Sequence, residues 1–165
     1  MEVEAIIEMP ARSIFKYEKN KSKDELVLDR PLNQPVPYNY GFIPDSLSED
    51  SDPLDLFLLT DEPIYPLTKI KANIIGVLKC IDNGIRDDKL IATLVGDCRG
   101  YETMGTAVIK KYLETYKEGF IVLEMGDKEE AIKIYEKSVK TFKEVTEKSN
   151  KALLDAIFKK YHEQS

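Results

Sequence analysis

The sequence is poor in the residue types that carry nucleophilic and thiol chemistry, with one histidine and two cysteines. His162 stands near the end of the chain, where we expect a solvated side chain, so Ser-His and Cys-His catalysis are excluded. Cys80 and Cys98 lie in neither a CxxC nor a Cys/His spacing, which favours reduced core residues over a disulfide or a metal pair. Acid–base chemistry is therefore left to carboxylates, lysines, tyrosines or bound water.

Long apolar runs and an excess of positive charge are also missing. No apolar segment approaches the roughly 18 residues that span a bilayer, and the first residues lack a signal-peptide pattern, so we expect a cytoplasmic protein without membrane contact. The formal net charge of −6 argues against a nucleic-acid-binding surface. The 42% hydrophobic and 33% charged residues fit one globular domain over 1–165, with 147–165 as an extra helical tail.

Short strands with Gly/Pro turns are predicted for the N-terminal two thirds of the sequence. Alternation with a period of two at 15–18, and short strand-like segments elsewhere, predict strands at 3–8, 15–18, 25–30, 54–60, 70–81, 89–94 and 120–123. Many short strands without intervening helices favour a small closed β-barrel over a βαβ sheet. The fold class is therefore mainly β, with helices added after the barrel.

Helical periodicity marks the C-terminal third. The first predicted helix ends at Gly119 and has one apolar face, made of Val108, Ile109, Tyr112, Leu113 and Tyr116. The second begins with Asp127 as N-cap and Glu130 at the capping-box position. Its predicted inward face comprises Ala131, Ile134, Tyr135, Phe142 and Val145.

A break is expected near 149–150 in the second helix, followed by an apolar stripe made of Leu153, Leu154, Ile157, Phe158 and Tyr161. This stripe is expected to pack either on the barrel or on a neighbouring subunit.

Three carboxylates, Asp50, Asp52 and Asp55, stand within six residues and directly before an apolar run. Burying like charges this close requires roughly several kcal/mol unless a cation compensates, and Mg²⁺ is a common partner of clustered oxygen ligands. Pro53 favours an extended Asp52, which predicts that Asp50 and Asp52 point to the same side. The segment indicates a metal-binding edge, with an acidic surface turn as the alternative. An EF-hand is excluded because Asp55 replaces the glycine at its sixth position.

Other charged and tyrosine side chains stand at strand and helix ends, where the apolar pattern does not require them. They are Glu8, Lys16, Glu18, Arg30, Asp82, Asp87, Asp88, Lys89, Tyr116 and Lys117. Each alone is more often a solvated residue than a site residue. Their functional meaning depends on whether they converge in the fold.

These segments together resemble family I soluble inorganic pyrophosphatases. Asp50–Asp55 reads D-S-D-P-L-D and is similar to the signature D-x-D-P-x-D. Further segments agree in order and spacing from about residue 4 to 118: Glu8-Met9-Pro10 with E-I-P, Lys16-Tyr17-Glu18 with K-Y-E, Asp29-Arg30 with D-R, Asn39-Tyr40-Gly41-Phe42-Ile43 with N-Y-G-[YF]-I, Gly76 to Leu90 with G-x-L-x-x-x-D…D-x-K-L, and Tyr116-Lys117 with Y-K.

The resemblance implies an OB-like barrel and hydrolysis of pyrophosphate to two orthophosphates by direct attack of a metal-activated water. It implies Mg²⁺ held by Asp50, Asp55, Asp82 and Asp87, with Mn²⁺ or Zn²⁺ as substitutes. Asp52 would orient and deprotonate the water, and Glu8 and Glu18 would complete the acidic shell through metal-bound waters. The implied phosphate-binding residues are Lys16, Arg30, Lys89 and Lys117, with Tyr40 and Tyr116 as hydroxyl donors.

Charge supports a metal-dependent site, because the seven implied acids against four cations leave −3, which would repel an anionic substrate. Two alternatives remain: a non-catalytic nucleic-acid-binding barrel, disfavoured because this face is acidic, and a scaffolding pseudoenzyme, disfavoured because every matched position keeps a suitable residue. The resemblance also implies a homo-oligomer, a hexamer as in bacterial relatives. Family members often carry tyrosine where this chain has Val36, and histidine near Tyr116 where it has Lys111 and Thr115.

Overall fold

The computed structural model describes residues 1–20, 22–23, 25–60, 62–97 and 102–162. Cys98 lies outside these residues, and so does the side chain of His162. The elements follow the chain in the order β1 (Glu2–Met9), β2 (Phe15–Lys19), β3 (Leu26–Pro31), β4 (Asn39–Phe42), β5 (Asp55–Leu58), β6 (Lys69–Asp82), β7 (Ile85–Arg86), β8 (Lys89–Leu94), α1 (Glu102–Glu114), β9 (Phe120–Gly126) and α2 (Lys128–His162).

Five strands close into a barrel, which confirms the predicted fold class. Neighbours pair in the order β1-β4-β5-β8-β6, and β6 returns to pair with β1. All these pairings are antiparallel except that of β5 with β8, which is parallel. The 14-residue β6 is long enough to continue past the barrel, where its second half pairs with β9. The β2–β3 hairpin forms a separate two-stranded sheet.

Alternating side chains of the barrel strands divide the core into two clusters. Leu56 and Leu58 of β5 belong to one cluster, and Phe57 and Leu59 belong to the other, as expected where successive side chains point to opposite faces. The first cluster is joined by Ala131, Ile134 and Tyr135 of α2. The second is joined by Ile109, Tyr112 and Leu113 of α1, and it contains Cys80, a buried free thiol as predicted.

The first helix differs from its prediction at both its face and its end. Ile109, Tyr112 and Leu113 are buried as expected, but Val108 is 44% exposed. The helix ends at Glu114, so Tyr116 lies beyond it and Gly119 does not terminate it. Gly119, at φ +79°, instead turns the chain into β9.

The second helix begins as predicted and continues further than predicted. Asp127 Oδ1 accepts from Glu130 N at 2.8 Å, and Asp127 N donates to Glu130 Oε2 at 3.1 Å, which confirms the capping box. The predicted break at 149–150 is wrong, since α2 is one 35-residue helix. Weak helix formers such as Ser149 and Asn150 are tolerated inside a long helix.

The part of α2 beyond residue 142 makes little use of its apolar side chains in the single chain. Val145 is 47% exposed, so its predicted inward position is wrong, and the apolar stripe is exposed at Leu153, Leu154, Ile157 and Phe158. Every described side chain from 143 to 160 is exposed, which excludes packing of this segment on its own barrel. No helix within the described ranges has the length and apolarity needed to cross a membrane.

Candidate active site

A cavity of about 850 Å³ opens where β5 and β8 begin and β6 ends, beside the β2–β3 hairpin. It is lined by every site residue predicted from the sequence except Arg30: Glu8, Lys16, Glu18, Tyr40, Asp50, Asp52, Asp55, Asp82, Asp87, Lys89, Tyr116 and Lys117. Arg30 lies next to the cavity, where its Nη2 donates to Tyr116 Oη at 3.0 Å. The fold therefore brings charged residues from distant parts of the chain around one space.

Strand register brings together the charged residues that lie at the ends of β5, β6 and β8. Asp55 is the first residue of β5 and Lys89 is the first residue of β8, and the two are direct partners in the parallel pair. Asp82 ends β6, and a turn through Asn83 (φ +47°) and Gly84 (φ +87°) begins the return toward β8. Asp87 N donates to Cys80 O at 3.0 Å, which holds the end of this return beside β6.

Lys89 lies between two carboxylates at the cavity wall. Its Nζ is 2.5 Å from both Asp55 Oδ2 and Asp87 Oδ1, and its side chain is only 7% exposed. Burial alone would lower the pKa of Lys89, but Asp55 and Asp87 outweigh burial and raise it, so the ammonium stays charged. Burial raises the pKa of Asp87. Burial, followed by the charges of Asp55 and Asp87, also raises the pKa of Tyr40 well above its usual value.

The other predicted phosphate-binding cations are also held in place by polar partners. Lys117 Nζ donates to Asp82 Oδ2 at 2.7 Å. Lys16 Nζ donates to Glu18 Oε1 at 2.5 Å; burial would lower the pKa of Lys16, but this hydrogen bond and nearby negative charge raise it. Lys16, Lys89 and Lys117 therefore each have a carboxylate partner, and an incoming anion would have to displace carboxylates from lysines.

The acidic segment is a turn rather than the extended chain predicted from Pro53. Ser48 N donates to the carbonyl of Asp52 at 2.8 Å, and Ser51 has a φ of +68°. Asp50 Oδ1 accepts from Asp52 N at 3.0 Å, so the first carboxylate stabilises the turn that carries the second. Both side chains line the cavity, although the local geometry that places them there is different. Burial raises the pKa of Asp50.

The N-Y-G segment has a clear structural role in this wall. Asn39 is fully buried, and its Oδ1 accepts from Ala11 N at 3.0 Å and Ile64 N at 2.8 Å. Its Nδ2 donates to Glu62 O at 2.8 Å. A Cβ at Gly41 would lie 2.0 Å from Ile6 O, so only glycine permits this approach of β4 to β1. Tyr40, between them, contributes to the cavity wall.

Several cavity residues were not found by sequence reasoning. They are Asn20, Ser22, Lys23 and Asp45. All stand in polar turns, and no local pattern separates them from ordinary solvated residues. They reach the cavity because the β2–β3 hairpin and the turn after β4 lie near the barrel opening, which is a tertiary effect.

The donor set fits a hard divalent cation. The carboxylates of Asp50, Asp55, Asp82 and Asp87 all line the cavity, and oxygen donors of negative charge are the ligands that Mg²⁺ prefers. The position of Lys89 between Asp55 and Asp87 shows that these carboxylates converge on positive charge. Among the described residues, no three acidic side chains stand close enough together to hold one ion in their present rotamers. Holding one ion through several of these carboxylates would require Asp55 and Asp87 to turn away from Lys89, or Asp82 from Lys117.

Comparison with known proteins gives the same family as the resemblance of the sequence motifs. Residues 5–143 match the family described as inorganic pyrophosphatase. An inorganic pyrophosphatase of Nanoarchaeum equitans is 40% identical over 160 residues, covering 87% of this chain and 99% of that protein. Soluble inorganic pyrophosphatase 2 of Chlamydomonas reinhardtii is 37% identical over 156 residues, covering 86% of this chain and 81% of that protein.

Solved structures agree with the sequence comparison. The inorganic pyrophosphatase of Helicobacter pylori superposes with a TM-score of 0.80 at 33% identity, covering 86% of this chain and 94% of that one. That of Neisseria gonorrhoeae also gives a TM-score of 0.80, at 31% identity, with 86% and 91% covered. With its barrel, its cavity and these relatives in agreement, the chain belongs to the inorganic pyrophosphatase family, hydrolases that act on diphosphate.

Proposed function

We propose that this chain hydrolyses pyrophosphate in the cavity beside the barrel, by direct attack of water on one phosphorus atom. The observation that carries the proposal is the convergence of the predicted acids and cations on that single cavity. Pyrophosphate is strongly anionic, and phosphoryl transfer depends mainly on positioning and on neutralisation of charge. A cavity with four cations beside it and several carboxylates in its wall suits that chemistry.

The cations and tyrosines would bind the phosphoryl groups. Arg30 presents a planar fork suited to two phosphoryl oxygens, and Lys16 and Lys117 act as point charges on flexible stems. Lys89 is buried and fixed by two carboxylates, so it would act from a constant position at the cavity wall. Tyr116 is already in hydrogen-bond contact with Arg30, and Tyr40 lies at the wall, with Lys89 Nζ 5.8 Å from its ring centre.

Asp50, Asp55, Asp82 and Asp87 would hold Mg²⁺, which Mn²⁺ or Zn²⁺ could replace, with Glu8 and Glu18 completing the acidic shell. A bound divalent cation lowers the pKa of water and neutralises phosphoryl charge. These carboxylates fit that task by donor type and by their shared cavity. Their attraction to Lys89 and Lys117 would fall when a divalent cation and an anionic substrate enter together, because the cation would hold the carboxylates and the phosphate would face the lysines.

Asp52 would orient the attacking water and accept its proton. The water oxygen forms a bond to one phosphorus while the bridging P–O bond breaks, and the second phosphate leaves as orthophosphate. Asp52 suits this role because its side chain is exposed at the cavity, while its backbone N–H is fixed by Asp50. General-base assistance of this kind contributes about 10²–10⁴-fold to a rate.

Phosphate release from pyrophosphate tests the proposal. The purified full chain in millimolar Mg²⁺ is expected to release two orthophosphates per pyrophosphate, and EDTA is expected to abolish the release. A chain that neither bound pyrophosphate nor released phosphate with Mg²⁺ present would overturn the proposal. Inversion of configuration at the attacked phosphorus, measured with a stereospecifically oxygen-labelled pyrophosphate analogue, distinguishes direct water attack, which makes one displacement, from a phosphorylated-enzyme route, which makes two.

We also propose that the chain acts as one domain over 1–165 and assembles as a homo-oligomer, with the tail from 147 onward as a subunit contact. Apolar side chains are exposed at Leu153, Leu154, Ile157 and Phe158 on α2. A second exposed apolar row runs along one face of β9 at Ile121, Leu123 and Met125. Rows of this kind usually mark contacts with another chain. The hexamer of bacterial relatives is the expected form.

A further inference from the structure

Tyr112 combines deep burial with an unsatisfied hydroxyl at the cavity. The residue is 6% exposed on α1, and it lines the cavity. Its ring contacts Phe57 and Tyr116 edge-on or tilted, with centroids 6.4 Å and 5.7 Å away. Across the described parts of the chain, its Oη is the one buried side-chain oxygen or nitrogen without a hydrogen-bond partner.

An unsatisfied buried hydroxyl is unfavourable by about 1–3 kcal/mol. Phenylalanine would fill the same space without that penalty. The hydroxyl therefore needs a hydrogen-bond partner, which the described residues do not supply. Burial raises the pKa of Tyr112, which keeps the group protonated and able to donate. An acceptor from outside the described residues would satisfy the hydroxyl.

The surroundings of Tyr112 point to an anionic acceptor. Arg30 and Tyr116 both affect Tyr112 electrostatically, and they are joined to each other by a 3.0 Å hydrogen bond. The neighbouring Val36 is fully buried and offers no polar atom from its side chain. An oxygen held by the Arg30 guanidinium would thus lie near the hydroxyls of Tyr112 and Tyr116. The side chain of Val36 offers no donor that would compete for this oxygen.

We infer that the Tyr112 hydroxyl donates a hydrogen bond to a phosphate oxygen of the bound substrate or product, beside Arg30 and Tyr116. The inference rests on the proposed function and adds a substrate-binding residue that sequence reasoning assigned only to the core. Because the hydroxyl is closed off in this structure, the contact requires Arg30 and Tyr116 to rearrange around the phosphate. Anion binding would then be coupled to a rearrangement of the side chains that line the cavity beside α1.

The test compares Tyr112→Phe with the wild-type chain and with Tyr65→Phe, a control at a tyrosine that is 85% exposed and outside the cavity. Tyr112→Phe is expected to raise the KM for pyrophosphate and the Kd for inorganic phosphate about tenfold, as expected for one hydrogen bond to a charged group. The Tm without ligand should stay the same or rise, while the Tm increase produced by phosphate should shrink. Tyr65→Phe should leave all four quantities unchanged.

Two outcomes would count against different claims. If Tyr112→Phe gains thermal stability while its KM and phosphate Kd match the wild type, the hydroxyl is only an unsatisfied core group and the inference is overturned. If the wild-type chain itself fails to hydrolyse pyrophosphate, the proposed function fails first. The two failures are distinguishable because the second is visible without any variant.

Discussion

Lys89 Nζ lies 2.5 Å from Asp55 Oδ2, in a pair set directly by the register of two parallel strands. The lysine is almost fully buried, and a second carboxylate, Asp87, contacts the same ammonium. Removing one partner of a buried ion pair is more damaging than the pair is stabilising, since it leaves uncompensated charge. Asp55 and Asp87 therefore need a positive charge between them, whether or not the site holds a ligand.

Lys89→Met should lower the free energy of unfolding by about 3 kcal/mol when divalent cations are removed by EDTA. Much of this loss should be recovered in millimolar Mg²⁺, because a cation could then compensate Asp55 and Asp87. Urea unfolding with and without Mg²⁺ measures both effects. Lys137→Met is the matched control, since its 3.4 Å pair with Glu49 is exposed and should matter by less than about 1 kcal/mol. Equal stability of Lys89→Met and wild type in EDTA would contradict the argument.

Asp52→Asn should lower kcat by about 10²–10⁴-fold, because asparagine cannot accept the proton of the attacking water. The fold should be preserved, since the turn is held by backbone groups of Ser48 and Asp52 together with the carboxylate of Asp50. Steady-state phosphate release and thermal melting check these two expectations. Asp155→Asn, at an exposed position of the α2 tail, serves as the control and should retain full activity. Retention of wild-type kcat by Asp52→Asn would remove Asp52 from the proposed role.

The stability that Glu130 contributes to the protein should be lost at acidic pH. Its pKa is lowered, first by the hydrogen bond from Lys79 and then by the N–H of Asp127, below the ordinary 4.5. A carboxyl whose folded-state pKa is lowered contributes stability that is present above its unfolded-state pKa and lost as pH falls through the folded-state value. The stability difference between wild type and Glu130→Gln should therefore be largest above about pH 4.5 and shrink below it. Parallel plots of Tm against pH for the two proteins would be inconsistent with this.

Gly41→Ala should destabilise the barrel by about 3 kcal/mol. The added Cβ would lie 2.0 Å from Ile6 O and 2.9 Å from Ile7 Cα, which are backbone atoms that can move only if β1 and β4 separate. Gly76→Ala provides a comparison, because its Cβ would first meet the flexible end of Met125 at 2.5 Å, and a smaller loss is expected. Chemical denaturation of both variants gives the ranking, and an equal or reversed order would count against it.

Deletion of residues 148–165 should reduce the oligomeric state while leaving the barrel intact. The described side chains from 148 to 160 are all exposed, so within this described part the deletion removes no packing from the single-chain core. Light scattering coupled to size exclusion measures the molar mass, and melting curves report on the barrel. An unchanged molar mass after deletion would move the subunit contact to another surface, such as the exposed face of β9.

Local patterns predicted the elements well where the physics is local. Short apolar segments bounded by turn residues mark four of the five barrel strands, β1, β5, β6 and β8, whereas β4 was not predicted. The Asp127–Glu130 capping box depends only on residues three positions apart. The strand order, and especially the parallel pairing of β5 with β8, comes from long-range closure that no local window contains. The predictions for Val108 and Val145 failed for the same reason, since an apolar side chain is buried only where a neighbour covers it.

The candidate site shows the same division. Its charged residues were identified because they interrupt an apolar pattern and match motifs, but their partners were not predictable. The contacts of Lys89 with Asp55 and Asp87, and of Lys117 with Asp82, depend on how strand ends meet in space. Tyr112 was assigned to the core from its helical spacing. This assignment is correct for the ring, but helical spacing does not predict the surroundings of the hydroxyl.

The parallel alignment of β5 and β8 also gives the folding chain a way to reject wrong pairings. If β5 slipped by one residue, side-chain alternation would turn Asp55 toward the face now occupied by Leu56 and would separate it from Lys89. A misaligned barrel would thus bury an unpaired carboxylate on one face and leave the Lys89 ammonium with Asp87 but without Asp55 on the other. The contact between Asp55 and Lys89 would therefore also favour the correct register of the sheet, and a closed barrel in which these two residues are apart should not accumulate.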